Sequence, residues 1–168
     1  MGRKKCKGLC NRYFEPHRHI GHIANSSIMQ LKTTKKELDE LTYNIVGAAI
    51  EVHKALGPGL LESVYQKCLR QEFFLRELRY TSEFLVPVNY KGIDVNADLR
   101  CDFVVMDFIV VELKAVDAIA PVHEAQLLTY MKLLEIPKGI LINFNCANLF
   151  KEGQKTFVNE YFRTLPDQ

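Results

Sequence analysis

The chain has 168 residues, a net charge of +2 and 48% hydrophobic residues, enough for one domain with a sizeable core and too few for two ordinary domains. No apolar run approaches the roughly twenty residues of a membrane span, and no apolar block follows the charged N-terminus, so a membrane or secreted protein is disfavoured and a cytoplasmic one expected. The five cysteines (Cys6, Cys10, Cys68, Cys101 and Cys146) are an odd number, and the last three fall in apolar patterns where a thiol behaves as a small hydrophobe, which argues against a disulfide framework.

Charge is distributed unevenly. Residues 1–36 hold nine Lys or Arg against one acid, whereas the remainder holds thirteen against nineteen. Residues 1–33 show no sustained apolar period and are expected to form a basic, disordered or loosely ordered arm, leaving 34–168 as the single folded domain. Cys6, Cys10, His17, His19 and His22 are zinc-type ligands, but their spacing leaves little room for a finger. Thr34-Lys-Lys-Glu37 has the form of a capping box, and Leu38, Leu41, Ile45, Ala49, Val52 and Leu56 follow at helical spacing, predicting a first helix that ends at Gly57-Pro58-Gly59. A second helix is predicted from about Leu60 to Leu78, with Leu61, Val64, Tyr65, Cys68, Leu69 and Phe73 as its buried stripe.

Phe84 to Tyr90 reads as a strand that Pro87 pushes toward a sheet edge or a bulge, and Lys91-Gly92 turns it into a short strand at Ile93 to Asn96. Asp102 to Lys114 reads as a hairpin turning near Met106 and Asp107. Its second arm, Phe108 to Val111, is apolar on both faces and is therefore expected at the centre of the sheet. Pro121 opens a third helix through about Leu134; Lys138 to Asn145 and Thr156 to Phe162 are the remaining strands. This order fits an α/β architecture, a central mixed β-sheet flanked by α-helices.

The hairpin also carries the candidate chemistry. Glu112 and Lys114 lie two residues apart, so on a strand they share one face while Val111, Leu113 and Ala115 take the other. A two-residue loop would set Cys101 opposite Glu112, whereas a three-residue loop or a bulge sets Asp102 there; the odd loop is the one expected. Two carboxylates about 4 Å apart repel by roughly 4 kcal/mol at an effective dielectric near 20, which a cation or a shared proton relieves. A surface ion pair is the ordinary explanation of such a trio, but the apolar neighbours Val104, Val110, Val111 and Leu113 predict burial, and buried charges call for a function. Glu62 lies in the first turn of its helix, where an acid complements the helix dipole without further purpose. His123, Gln126 and Tyr130 share one face of the third helix, which an ordinary solvated face would also explain.

Taken together, these motifs resemble a known family. Gly59-Leu-Leu-Glu62-Ser-Val-Tyr65 matches the motif that names the GxxExxY proteins, and Asp102 followed by Glu112-Leu-Lys114 looks like the signature of the PD-(D/E)xK nuclease superfamily. Ile50-Glu-Val-His-Lys-Ala-Leu-Gly-Pro-Gly59, Val111-Glu-Leu-Lys-Ala-Val116 and Pro121-Val-His-Glu-Ala-Gln-Leu-Leu-Thr-Tyr130 agree in order, and the resemblance spans about Leu38 to Asn145. It implies a restriction-endonuclease-like core, with Glu62, Asp102 and Glu112 as ligands of Mg2+ or Mn2+, Lys114 as the catalytic lysine and Gln126 in support. Tyr65, His123 and Tyr130 are expected as supporting or phosphate-binding residues. Cys101 stands where the superfamily's name has proline, a substitution that removes no ligand. The implied activity is hydrolysis of nucleic-acid phosphodiesters, DNA by preference, with room for a protein partner or a homodimer. The acidic body weighs against tight DNA binding, so a non-catalytic binding module, or an accessory subunit of a DNA-repair or defence complex, is the competing expectation.

Overall fold

Thr34 caps the first helix as its capping box predicts: its hydroxyl accepts from the Glu37 amide at 3.1 Å, and the Glu37 carboxylate accepts from the Thr34 amide at 2.8 Å. The computed structural model describes residues 33–95 and 97–168. The basic arm, with its cysteines and histidines, lies outside the described residues apart from Thr33. Helix α1 (Lys35–Leu56) buries Leu38, Ile45, Val46, Ala49 and Val52 and stops at Gly57, whose φ of 69° is a conformation that favours glycine.

Helix α2 (Glu62–Leu75) is shorter than its apolar pattern predicts. Leu61 is extended and the Leu60 amide is bonded to the Tyr65 hydroxyl, so the helix starts at Glu62, while Glu77 at φ 56° lies in the left-handed region just past its end. Tyr65, Leu69 and Phe73 form its buried face. The next strand, β1 (Tyr80–Leu85), begins four residues earlier than expected because Tyr80 packs against Phe73 and Phe103 with ring centroids 5.4 and 5.7 Å apart. Pro87 separates it from β2 (Val88–Tyr90), which pairs only with β3 (Ile93–Val95) in a separate two-stranded ribbon.

The hairpin of β4 (Arg100–Val105) and β5 (Ile109–Lys114) has the odd, three-residue loop: Val105 pairs with Ile109, Val104 with Val110 and Phe103 with Val111. Met106 and Asp107 take φ of 54° and 66° to close it. Helix α3 (Pro121–Leu133) then crosses over to β6 (Lys138–Asn143), parallel to β5, and a short helix α4 (Leu149–Glu152), absent from the sequence expectations, precedes β7 (Gln154–Val158). The last strand stops sooner than Phe162 because the Asn159 side chain accepts from the Tyr161 and Phe162 amides and starts a short helix, α5 (Glu160–Arg163).

The sheet order is β1-β4-β5-β6-β7, antiparallel except at β5/β6. As its two-sided apolar sequence predicts, β5 is central and buried at every residue. Val111 and Leu113 join the cluster built on α1 and α2, whereas Val110 joins Leu127, Tyr130 and Met131 of α3 on the other face. Gly139 lets α3 approach β6 closely, since a Cβ there would lie 2.5 Å from the Met131 sulfur. Among the described residues no helix is long and apolar enough to cross a membrane.

Candidate active site

The regular pairing of β4 with β5 ends at Phe103 and Val111, and the next register step places Asp102 across from Glu112. A side chain ends the ladder: the Leu113 amide donates to Asp102 Oδ2 at 2.7 Å, taking the place of a strand-to-strand backbone bond. Gln66 Nε2 donates to the other oxygen, Asp102 Oδ1, at 3.1 Å. The Asp102 carboxylate is thus held from the sheet on one side and from α2 on the other.

Glu112 and Lys114 project from the same face of β5 and touch, with Nζ 2.8 Å from Glu112 Oε1. Both are buried, at 4% and 9% exposure. The second carboxylate oxygen, Glu112 Oε2, is buried with no hydrogen-bond partner among the described residues. An ionised oxygen left this way is costly, and burial, with the Asp102 charge adding to it, pushes the Glu112 carboxyl up to about 7 against the opposing pull of Lys114 and, more weakly, of the Asp102 backbone amide. Burial likewise raises Asp102 and Glu62. Burial alone would lower the Lys114 ammonium, but Glu112, Glu62 and Asp102 outweigh it and hold this lysine above its ordinary value, so it stays cationic.

Glu62 lies in the first turn of α2, near enough to feel the charges of Lys114 and Asp102, but it makes no hydrogen bond or ion pair with the group. Its position is set by the loop before it. Gly59 has a φ of 94°, and the buried Tyr65 hydroxyl donates to the Gly57 carbonyl at 2.7 Å and accepts from the Leu60 amide at 3.1 Å. The Tyr65 ring stacks on Phe144, centroids 4.3 Å apart and planes within 6°. The spacing from Gly59 through Glu62 to Tyr65 therefore has a physical meaning: a left-handed turn, an acid at the helix start, and a tyrosine one turn on that ties the loop down. The Tyr65 hydroxyl bonds that loop both as donor and as acceptor.

On α3, Gln126 Nε2 donates to the Tyr130 hydroxyl at 2.8 Å. Burial raises the Tyr130 phenol, and Glu112 adds to the rise while Lys114 opposes it, which places the phenol within the field of the pair. His123 serves its own helix, its Nδ1 accepting from the Ala120 amide at 3.2 Å. Cys101 is fully buried, and burial, then Glu112 and Asp102, push its thiol up to about 12, so it fills space as a neutral group. Two polar supports had no role in the sequence expectations. Gln66 was detectable from its four-residue offset from Glu62; Asn143, whose side chain bonds both the amide and the carbonyl of Val116 just beyond Lys114, carried no local signal.

The acids near the pair offer only oxygen donors, the type that suits a hard divalent cation, and Glu112 Oε2 has no hydrogen-bond partner among the described residues. Among the described residues no three acid, histidine or cysteine side chains lie close enough together to hold a metal ion, so Glu62, Asp102 and Glu112, expected as ligands from the sequence, are not gathered into one cation site. Lys114 holds one Glu112 oxygen, and Gln66 and Leu113 hold both oxygens of Asp102.

A five-stranded mixed sheet flanked by helices, with an acid, an acid and a lysine where the two central strands of a hairpin part, defines the restriction-endonuclease-like class of α/β proteins. The family model described as the PD-(D/E)XK nuclease superfamily matches residues 39–157, and the chain belongs to that superfamily. No curated protein and no solved structure matches the chain.

Proposed function

We propose that this chain is a metal-dependent nuclease of the GxxExxY type that hydrolyses phosphodiester bonds, preferentially in DNA. The observation that carries this reading is the buried Glu112, one oxygen on Lys114 and the other without a partner, with Asp102 across the strand gap. A structural ion pair gains nothing from a half-satisfied buried carboxylate, whereas a site that receives a cation needs one.

Glu112, Asp102 and Glu62 would hold Mg2+ or Mn2+, which when bound would neutralise charge on the phosphate and acidify an attacking water. Asp102, held by Gln66 and Leu113, needs little reorganisation to present its remaining lone pairs. Lys114 stays cationic through the pH range of the reaction; its ammonium would donate to a phosphate oxygen and stabilise the negative charge that builds up in the transition state. Gln126 and Tyr130 would orient a water or Lys114 from the α3 side, and the partner is a nucleic-acid strand.

The test is cleavage of plasmid and single-stranded DNA by purified protein with Mg2+ or Mn2+. Lys114→Ala should abolish it with the fold intact, and equal behaviour of the two proteins would end the enzyme reading. The acidic body, thirteen basic against nineteen acidic residues beyond position 36, favours a second reading in which an accompanying protein supplies the grip on DNA. Cleavage that appears only with such a partner would select it.

A further inference from the structure

Glu62, Gln66 and Arg70 recur every four residues on α2 and form one polar row, each step about 6 Å along the axis. The first two face the site: Glu62 feels Lys114 and Asp102, and Gln66 holds Asp102. Arg70, one turn further, sends Nη2 to Glu83 Oε2 at 2.9 Å. Its Nε is buried with no partner among the described residues, so only part of its donor fork is used.

Glu83 is an unusual companion. It lies on the edge strand β1, opposite Asp102 in register, but the ladder skips this pair, running from Ser82 with Phe103 to Phe84 with Cys101. Its φ of 52° is a left-handed conformation that is costly for a residue with a side chain. Its side chain is 57% exposed, and its charge acts on Asp102 to raise that carboxyl further. An exposed carboxylate, on strained backbone and beside another acid, thus holds a half-used guanidinium next to the site.

We propose that Arg70 is a phosphate-binding residue for the DNA strand flanking the cleaved bond, and that Glu83 occupies it until a strand arrives. The proposal rests on the nuclease reading for the role of the neighbouring site. A phosphate can engage both Nη atoms together, a two-point contact that Glu83 makes through one atom pair only. The Arg70–Glu83 pair, half-buried on the arginine side and exposed on the acid side, is weak enough to exchange. In a body with an acidic balance, a cation masked by a displaceable acid favours strands bound at the neighbouring site over stray polyanions.

The experiment is binding of short fluorescein-labelled single-stranded and duplex DNA, followed by anisotropy over a salt series in EDTA, so that divalent ions play no part. Arg70→Gln should weaken binding about tenfold and reduce the salt dependence by about one phosphate contact. Arg70→Lys, which keeps the charge and loses the fork, should fall between. Glu83→Gln should tighten binding several-fold, but only while Arg70 is present, so the double variant should bind like Arg70→Gln alone. Thermal melts of each variant separate lost binding from lost folding. The proposal is overturned if Arg70→Gln binds like wild type while folded, if Glu83→Gln tightens binding equally without Arg70, or if wild type does not bind DNA. Arg70-dependent binding without divalent-dependent cleavage would instead remove the nuclease reading and leave the phosphate site standing.

Discussion

Lys114 and Lys138 are the two buried lysines among the described residues, and they sit at opposite ends of the same parallel strand pair, yet their surroundings differ in kind. Lys138, at the start of β6, bonds Asp39, whose side chain is 68% exposed, approaches the Leu38 carbonyl and lies over the Phe162 ring. Its acid stays in water, so little is lost in desolvating it. Lys114 faces a carboxylate that is itself buried and half satisfied, with two more acids in range. The first lysine fastens α1 to the sheet. The second belongs to an arrangement whose cost to stability makes physical sense as preparation for a ligand.

Substitution should separate the two. Lys114→Ala is expected to lower cleavage by on the order of a thousandfold, read on plasmid DNA under conditions where circular dichroism shows the variant folded. Mg2+ or Mn2+ should stabilise the wild type by about 2.7 kcal/mol at a hundredfold excess over its dissociation constant, and this gain should vanish in Asp102→Asn, as followed by thermal melts. A melt unaffected by both ions would remove the ligand assignment.

The third expectation is a stability gain on losing a charge. The folded Glu112 carboxyl is raised to about 7 from 4.5, so its favourable contribution is whole below pH 4.5 and is lost as pH rises through about 7. Without divalent ions, Glu112→Gln should therefore be more stable than wild type above pH 7, by on the order of 2 kcal/mol, and lose that advantage below pH 4.5. Urea unfolding across this range is the measurement, and an advantage independent of pH would contradict the assigned cause. Tyr65→Phe should cost about 1–2 kcal/mol for its two hydrogen bonds and also slow cleavage by loosening the turn before Glu62. The smallest effect is expected from Lys138→Met, about 1 kcal/mol in unfolding free energy with cleavage unchanged in the folded protein. A cleavage loss there equal to that of Lys114→Ala would erase the distinction between the two lysines.

Much of the fold was legible because its signals are local. The Thr34–Glu37 box set the start of α1, and the two-sided apolar run of β5 identified the central strand. The pattern of Glu112, Lys114 and Asp102, with a turn between, predicted the odd loop that the register has. Boundaries failed where a distant partner intervenes: Tyr80 is drawn into β1 by Phe73 and Phe103, and Leu60 is kept out of α2 by Tyr65. Tyr65 and His123 have the residue types of phosphate-binding groups, and each spends a polar atom on its own loop or helix.

The sequence by itself determined the order of elements, the shared face of Glu112 and Lys114, and membership of a nuclease superfamily, because backbone periodicity and motif spacing act over a few residues. Only the tertiary structure decided that Asp102 closes the hairpin ladder through the Leu113 amide, that Gln66 aims it, and that one oxygen of Glu112 is left without a partner. Burial and hydrogen-bond satisfaction depend on which distant segments pack together, and those are properties of the assembled sheet and helices rather than of any stretch of chain.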